Sequence, residues 1–201
     1  MRPAPALRRW LMGKKWPQAI ATGRQVHGTK IQIVPRLSRA KEYPDVDGFL
    51  TDQERQLVGI YTADCLPVLI ADHQRGVIGA LHAGWRGVRG KILTEALRQM
   101  RRRWRTQAGD VEFWFGPCIQ ACCFEVGWDV ARHFPVSRRR RAGRWTVNLP
   151  QEVRREARRL GLREAKRRSL TACTMHESRY FSFRRDGGRE RQISIIWRVN
   201  S

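Results

Sequence analysis

The chain has 201 residues and a net charge of +22, from 40 Lys and Arg against 18 Asp and Glu. Hydrophobic residues make up 41%, enough for a globular core, which excludes wholesale disorder, and no apolar run approaches the ~20 residues of a membrane span. The five cysteines, Cys65, Cys118, Cys122, Cys123 and Cys173, are odd in number and accompany no secretion signal, so a disulfide framework is disfavoured and a cytoplasmic protein expected.

Residues 1–22 read as a short N-terminal helix and a Pro-containing connector, followed by one body over 23–201. Alternation at Ile31 and Ile33 marks a strand from Lys30 to Val34, and Arg36 to Asp47 is polar and turn-rich. Leu57 to Asp72 is the most apolar stretch. It reads as a buried strand, a turn at Ala63-Asp64-Cys65, and a further strand or short helix. Gly76 to Leu81 is a strand that ends at His82 and a glycine-rich turn. From Gly90 to Arg105, Ile92, Leu93, Ala96, Leu97, Met100 and Trp104 recur every three to four residues and form one helical face. Val111 to Phe115 alternates as a strand, Val126 to Phe134 reads as a short helix, and Trp145 to Leu149 as a strand. Pro150 to Leu160 is a helix with Pro in its first turn and Gly161 stopping it. Leu170–Cys173, Tyr180–Arg184 and Gln192–Val199 close the chain as strands. The mixture lacks strict βαβ alternation, which favours an α+β class: a layered sandwich with mixed sheets in a single compact domain.

The positive charge sits in arginine runs such as Arg101-Arg102-Arg103-Trp104-Arg105 and Arg138-Arg139-Arg140-Arg141. These fall on the polar face of a helix or in an expected loop, Arg138–Arg144. They read as solvated surface; a nucleic-acid partner is permitted by the charge but not favoured by its distribution.

Chemistry concentrates in a trio. His27, Cys65 and His82 each stand beside a glycine, a proline or a strand-to-turn change. Two imidazoles and a thiolate make a three-ligand metal set with a fourth position free. The same residues permit another reading, in which Cys65 is a nucleophile and His82 its base, but that leaves His27 idle. Asp64 is a candidate general base or a partner orienting a ligand, set against a simple turn-stabilising role. Arg86 is a candidate anion clamp, set against an ordinary salt bridge. Trp85 reads as packing, set against stacking on a base. Five histidines and no His-x-His pair are too few for a multicopper oxidase site, and a blue-copper site lacks a nearby Met. No Cys-x-x-Cys occurs, so a four-cysteine ribbon is excluded by spacing. Cys118, Cys122, Cys123 and Cys173 read as small buried hydrophobes, and His176 as a surface residue.

The strings Gln25-Val26-His27-Gly28, Asp45-Val46-Asp47-Gly48-Phe49-Leu50-Thr51, Thr62-Ala63-Asp64-Cys65-Leu66-Pro67-Val68 and His82-Ala83-Gly84-Trp85-Arg86-Gly87 resemble the YfiH/laccase-domain (multicopper polyphenol oxidase-like) family. Gly116-Pro117-Cys118-Ile119, Phe124-Glu125-Val126-Gly127, Cys173-Thr174 and Phe181-Ser182-Phe183-Arg184-Arg185-Asp186 follow in the family's order. The resemblance implies that 23–201 is a catalytic domain and that His27, Cys65 and His82 bind Zn2+. It also implies phosphorolysis of adenosine, inosine, guanosine and methylthioadenosine, with deamination of adenosine, so that purine nucleoside and phosphate are the expected partners; Asp64 and Arg86 remain the catalytic candidates. A bacterial branch of the family is linked to peptidoglycan editing. Two departures stand out. Family members carry a longer leading segment with a Thr-Arg-x-Gly-Gly-Val-Ser stretch, absent here, and their Arg-Asp-Gly-x-Thr-Gly-Arg pattern reads Arg185-Asp186-Gly187-Gly188-Arg189-Glu190-Arg191. The rival expectations are a cysteine-type hydrolase acting on peptidoglycan precursors and an inactive, Arg-rich nucleic-acid binder.

Overall fold

Alternating burial organises this chain into three layers. The computed structural model describes residues 19–165 and 172–199. In chain order the strands are β1 (Ile20–Arg24), β2 (Ile31–Ile33), β3 (Lys41–Pro44), β4 (Gly48–Thr51), β5 (Leu57–Thr62), β6 (Leu66–Asp72), β7 (Val77–Ala83), β8 (Val111–Phe115), β9 (Glu125–Val126), β10 (Arg139–Arg141), β11 (Arg144–Thr146), β12 (Arg163–Glu164) and β13 (Gln192–Ile196). The helices are α1 (Trp85–Arg89), α2 (Ile92–Trp104), α3 (Trp128–Ala131), α4 (Leu149–Leu160) and α5 (Phe183–Asp186).

Strands β13-β5-β1-β3 form one mixed sheet and β12-β8-β6-β7-β4-β2 a second, while β10-β11-β9 make a small antiparallel third. Strand β7 is buried along its whole length because both its faces are covered. Its Val77, Leu81 and Ala83 belong to a core shared with Leu93, Leu97 and Met100 of α2 and Val153 and Ala157 of α4. Its Ile78 and Ala80 belong to a second core shared with Ala21 of β1 and Val58 and Ile60 of β5. The two-residue period thus puts helices on one face of the six-stranded sheet and the four-stranded sheet on the other. The same parity sends His82 to the side of the sheet–sheet core.

The expected α+β sandwich in one compact body is what the chain forms. The long elements fall close to their expected limits: α2 and α4 sit within the Gly90–Arg105 stretch and over Pro150–Leu160, β5 and β6 divide the Leu57–Asp72 stretch, and β7 and β8 occupy the next two. Other expectations need correcting. The expected helix at the N-terminus lies in residues 1–18, outside the described residues. Ile20–Arg24 is a strand, so the connector expected to reach residue 22 ends earlier. The turn-rich stretch Arg36–Asp47 contains strand β3, held by parallel pairing to β1. The basic loop Arg138–Arg144 is largely a hairpin, Arg139–Arg141 against Arg144–Thr146. It is stabilised by guanidinium stacking: Arg138 lies over the Trp128 ring at 4.8 Å and Arg140 over Trp145 at 5.6 Å. Leu149 opens α4 instead of ending a strand, with the Asn148 side chain accepting from the Gln151 N–H at 2.9 Å. Tyr180–Arg184, expected as a strand, ends in the single helical turn α5, capped by Ser182. The expected Leu170–Cys173 strand lies partly outside the described residues; Cys173 forms an isolated bridge with Cys118.

A candidate metal centre at one end of the sandwich

His27 follows the last residue of β1 by three positions, Cys65 immediately precedes β6, and His82 is the penultimate residue of β7. Leu66 pairs with Ala83 and Pro67 with His82 across the β6–β7 ladder, so Cys65 and His82 are neighbours at that ladder's end. His27 arrives from the other sheet. Gln25 steers it there: its amide donates to the Tyr61 carbonyl and accepts from the Tyr61 N–H, both at 2.8 Å, extending β1 along β5. The ligand atoms of the three residues all lie within 4.8 Å of one another, and the two imidazoles meet edge to face, centroids 4.8 Å apart.

Asp47, fully buried one residue ahead of β4, builds the centre from behind. Its carboxylate accepts from the backbone N–H groups of Val26 (3.2 Å), His27 (2.9 Å) and Gly28 (2.8 Å). It also meets His82 Nδ1 at 2.7 Å, and its carbonyl accepts from the His82 N–H at 2.7 Å. One carboxylate therefore folds the His27 loop and fixes the tautomer of His82, leaving Nε2 free to bind. His27 holds the left-handed conformation, φ 63°, over-determined by those three backbone bonds. Sequence reasoning gave Asp47 no role; an Asp beside a strand-opening glycine carries no signal of its own.

The donor set fits a metal ion. Burial pushes the Cys65 thiol up, but hydrogen bonds from His27 and His82 outweigh it and bring the thiol down to about 6. Burial pushes His82 down, yet Asp47 and the Cys65 sulfur raise it to about 9. Gly84 keeps the space clear: a Cβ there would lie 3.0 Å from His27 Cδ2 and 3.3 Å from Cys65 Sγ. A thiolate and two imidazoles, one of them backed by a carboxylate, make a set of three protein ligands that could hold a metal ion.

The trio lies in the wall of a cleft of about 450 Å³, lined also by Tyr61, Phe124, Phe183, Arg184 and Arg191. Asp64 reaches the cleft, but both its carboxylate oxygens are occupied: it accepts from the Thr174 hydroxyl at 2.6 Å and the Arg184 N–H at 2.7 Å. Arg86 is exposed on α1, stacked over its neighbour Trp85 at 4.5 Å, and is not among the residues lining the cleft. Trp85 packs against the core, as expected. Among the described residues, the arginines lining the cleft are Arg184, in the family-like Phe181–Asp186 string, and Arg191, at the end of the altered stretch; the sequence reading gave neither a role.

Among solved structures, the chain superposes on YlmD from Geobacillus stearothermophilus with a TM-score of 0.84 at 27% identity, covering 97% of this chain and 78% of that one. A Haemophilus influenzae protein named purine nucleoside phosphorylase is 30% identical over 184 residues, 86% of this chain and 72% of its own. A protein named adenosine deaminase RL5, from an unknown prokaryotic organism, is 32% identical over 118 residues, 55% of this chain and 45% of its own. The pattern of one family matches residues 6–199, nearly the whole chain, and the protein belongs to it: the multi-copper polyphenol oxidoreductase laccase family.

Proposed function

We propose that the chain is a nucleoside-processing enzyme, a zinc-dependent purine nucleoside phosphorylase that also deaminates adenosine, working in the cytoplasm. The observation that carries this reading is an open two-histidine, one-cysteine centre in the wall of a cleft that also presents aromatic rings and two arginines. Relatives named for both activities support it. Adenosine, inosine, guanosine and methylthioadenosine are the proposed nucleosides, with phosphate as co-substrate.

His27, Cys65 and His82 would hold Zn2+, which supplies Lewis acidity and a template for an anionic or polarised oxygen. Tyr61, Phe124 and Phe183 offer flat apolar surface against which a purine can lie. Arg184 and Arg191 take the anion-clamping role that the sequence suggested for Arg86, since they face the cleft and guanidinium forks match phosphate oxygens. In phosphorolysis an oxygen of hydrogen phosphate bonds to the anomeric carbon as the glycosidic C–N bond breaks, and the phosphate's proton passes to the departing purine nitrogen. Asp64 acts by position: its two accepted hydrogen bonds tie the Cys65 turn to Thr174 and to the backbone of Arg184. Asp47 holds His82 in its metal-binding tautomer.

The test is incubation of the zinc-loaded protein with adenosine and phosphate, followed by product analysis. Adenine with ribose 1-phosphate reports phosphorolysis, and inosine with ammonia reports deamination. Absence of both, in protein shown to carry zinc, sinks the proposal. The depressed Cys65 thiol beside His82 keeps one rival in view, a cysteine hydrolase acting on peptidoglycan precursors. An amide-cleaving activity indifferent to chelators and blocked by thiol alkylation would favour that reading.

A further inference from the structure

A second group of soft ligands converges away from the trio. The ligand atoms of Cys122, Cys123, Cys173 and His176 all lie within 4.8 Å of one another. Cys122 Sγ is 3.8 Å from Cys173 Sγ and 3.9 Å from His176 Nδ1, and Cys123 Sγ is 3.1 Å from His176 Nε2. A tetrahedral site with Zn–S near 2.3 Å has ligand-to-ligand edges of about 3.8 Å. The Cys122–Cys173 and Cys122–Nδ1 separations match that edge, while the short Cys123 contact is to Nε2, the nitrogen that a ligating Nδ1 leaves outside the tetrahedron. We propose that Cys122, Cys123, Cys173 and His176 form a closed, structural zinc site.

The local chain is shaped for it. Cys122 and Cys123 occupy a tight turn in which the Cys123 and Phe124 N–H groups both donate to the Gln120 carbonyl at 2.9 Å. Cys173 and His176 stand three positions apart in another turn, closed by the His176 N–H donating to the Cys173 carbonyl at 3.1 Å. The Gln120 N–H points at Cys173 Sγ, 3.5 Å away, a backbone donor aimed at sulfur of the kind that steadies a bound thiolate. Cys122 and His176 are exposed, which leaves an entry route, while Cys173 is buried. Reading the four cysteines outside the trio as buried hydrophobes therefore holds for Cys118 and Cys173 and fails for the exposed Cys122 and the half-buried Cys123. All of them are free thiols. A disulfide would employ two sulfurs and leave the remaining thiol and the imidazole without a purpose; one tetrahedral ion employs all four ligands.

Four protein ligands leave no open position, so this site is a clamp and not a reaction centre. It would staple the 118–124 loop, whose Ile119 and Phe124 line the cleft, to the 173–176 turn, whose Thr174 holds Asp64.

The site is independent of the nucleoside reading, and a background lacking Cys65 separates the two. Full-length protein is expressed with zinc, desalted and analysed for metal. We expect about two zinc ions per chain in the wild type, about one in Cys65→Ser, about one in Cys122→Ser/His176→Ala, and almost none when these are combined. A Cys65→Ser protein without zinc, or a Cys122→Ser/His176→Ala protein as zinc-rich as the wild type, overturns the proposal. A measurement on unaltered protein guards against misfolding of the variants: iodoacetamide labelling of Cys122, read by peptide mass spectrometry, should accelerate about tenfold or more on chelation. Equal rates with and without chelator, or a Cys122–Cys173 disulfide in freshly purified protein, overturn it as well.

Discussion

At the scale of single residues, one buried carboxylate does more than any ligand. Asp47 gathers three backbone N–H groups and one imidazole. An Asp47→Asn side chain keeps the shape, but its NH2 faces donors where an acceptor is needed. Zinc affinity, measured by competition with a chromophoric chelator, should fall about 10–100-fold; unchanged affinity would mean that His82 is oriented by something else. The trio also fixes a pH dependence. Zinc needs the Cys65 thiolate and a neutral His82, and in the metal-free protein these groups titrate at about 6 and about 9. Between those values His82 carries a proton that zinc must displace, so uptake at pH 7.5 should release at least one proton per ion. Below about 6 Cys65 is protonated too, and affinity should drop more steeply. Calorimetry in buffers of different ionisation enthalpy reads the proton count directly.

At the scale of elements, the helices announced themselves and the short strands did not. Helices α2 and α4 bury a continuous apolar stripe whose period is written in their own residues. Strands β3, β9 and β12 span two to four residues and exist because distant partners pair with them. The Arg139–Thr146 hairpin escaped a reading of charge because Arg138, just ahead of it, stacks on Trp128 and Arg140 stacks on Trp145 instead of facing only water. The packing of α2 on α4 rests on a contact no periodicity reveals. Helix α2 begins after Lys91, in a left-handed conformation with no side-chain cap. The buried Glu156 of α4 supplies the missing acceptor, taking the Thr94 N–H at 3.0 Å and its hydroxyl at 2.7 Å. Glu156→Ala leaves those donors unsatisfied and should lower unfolding free energy by about 1–3 kcal/mol. Denaturant melts with an unchanged slope would attribute the loss to the native state.

At the scale of the whole molecule, the sandwich brings one end of both sheets around the trio, so metal and fold should be linked. Zinc at a thousandfold excess over its dissociation constant stabilises by about 4 kcal/mol. For a chain of this size that corresponds to a rise in Tm of about 8–16 °C. A Tm unmoved by chelation and zinc readdition would deny any such linkage. The net charge of +22 is distributed as a surface property: Arg101, Arg102, Arg103 and Arg105 are all exposed. Among the described residues no helix is long and apolar enough to cross a membrane.

The trio His27, Cys65 and His82, the two long helices and the layered α+β class follow from the sequence alone. Each rests on local information: residue types beside turns together with the family-like strings around them for the trio, or an apolar period within one element for the helices. Tertiary structure alone decided that Asp47 backs the centre, that Arg184 and Arg191 face the cleft while Arg86 does not, and that Cys122, Cys123, Cys173 and His176 meet. Those relations depend on contacts between residues far apart in the chain, such as Gly28 with Asp47, 19 positions apart, and Asp64 with Arg184, 120 positions apart. Strand pairing and loop closure bring them together, and neither leaves a trace in the spacing of the residues themselves.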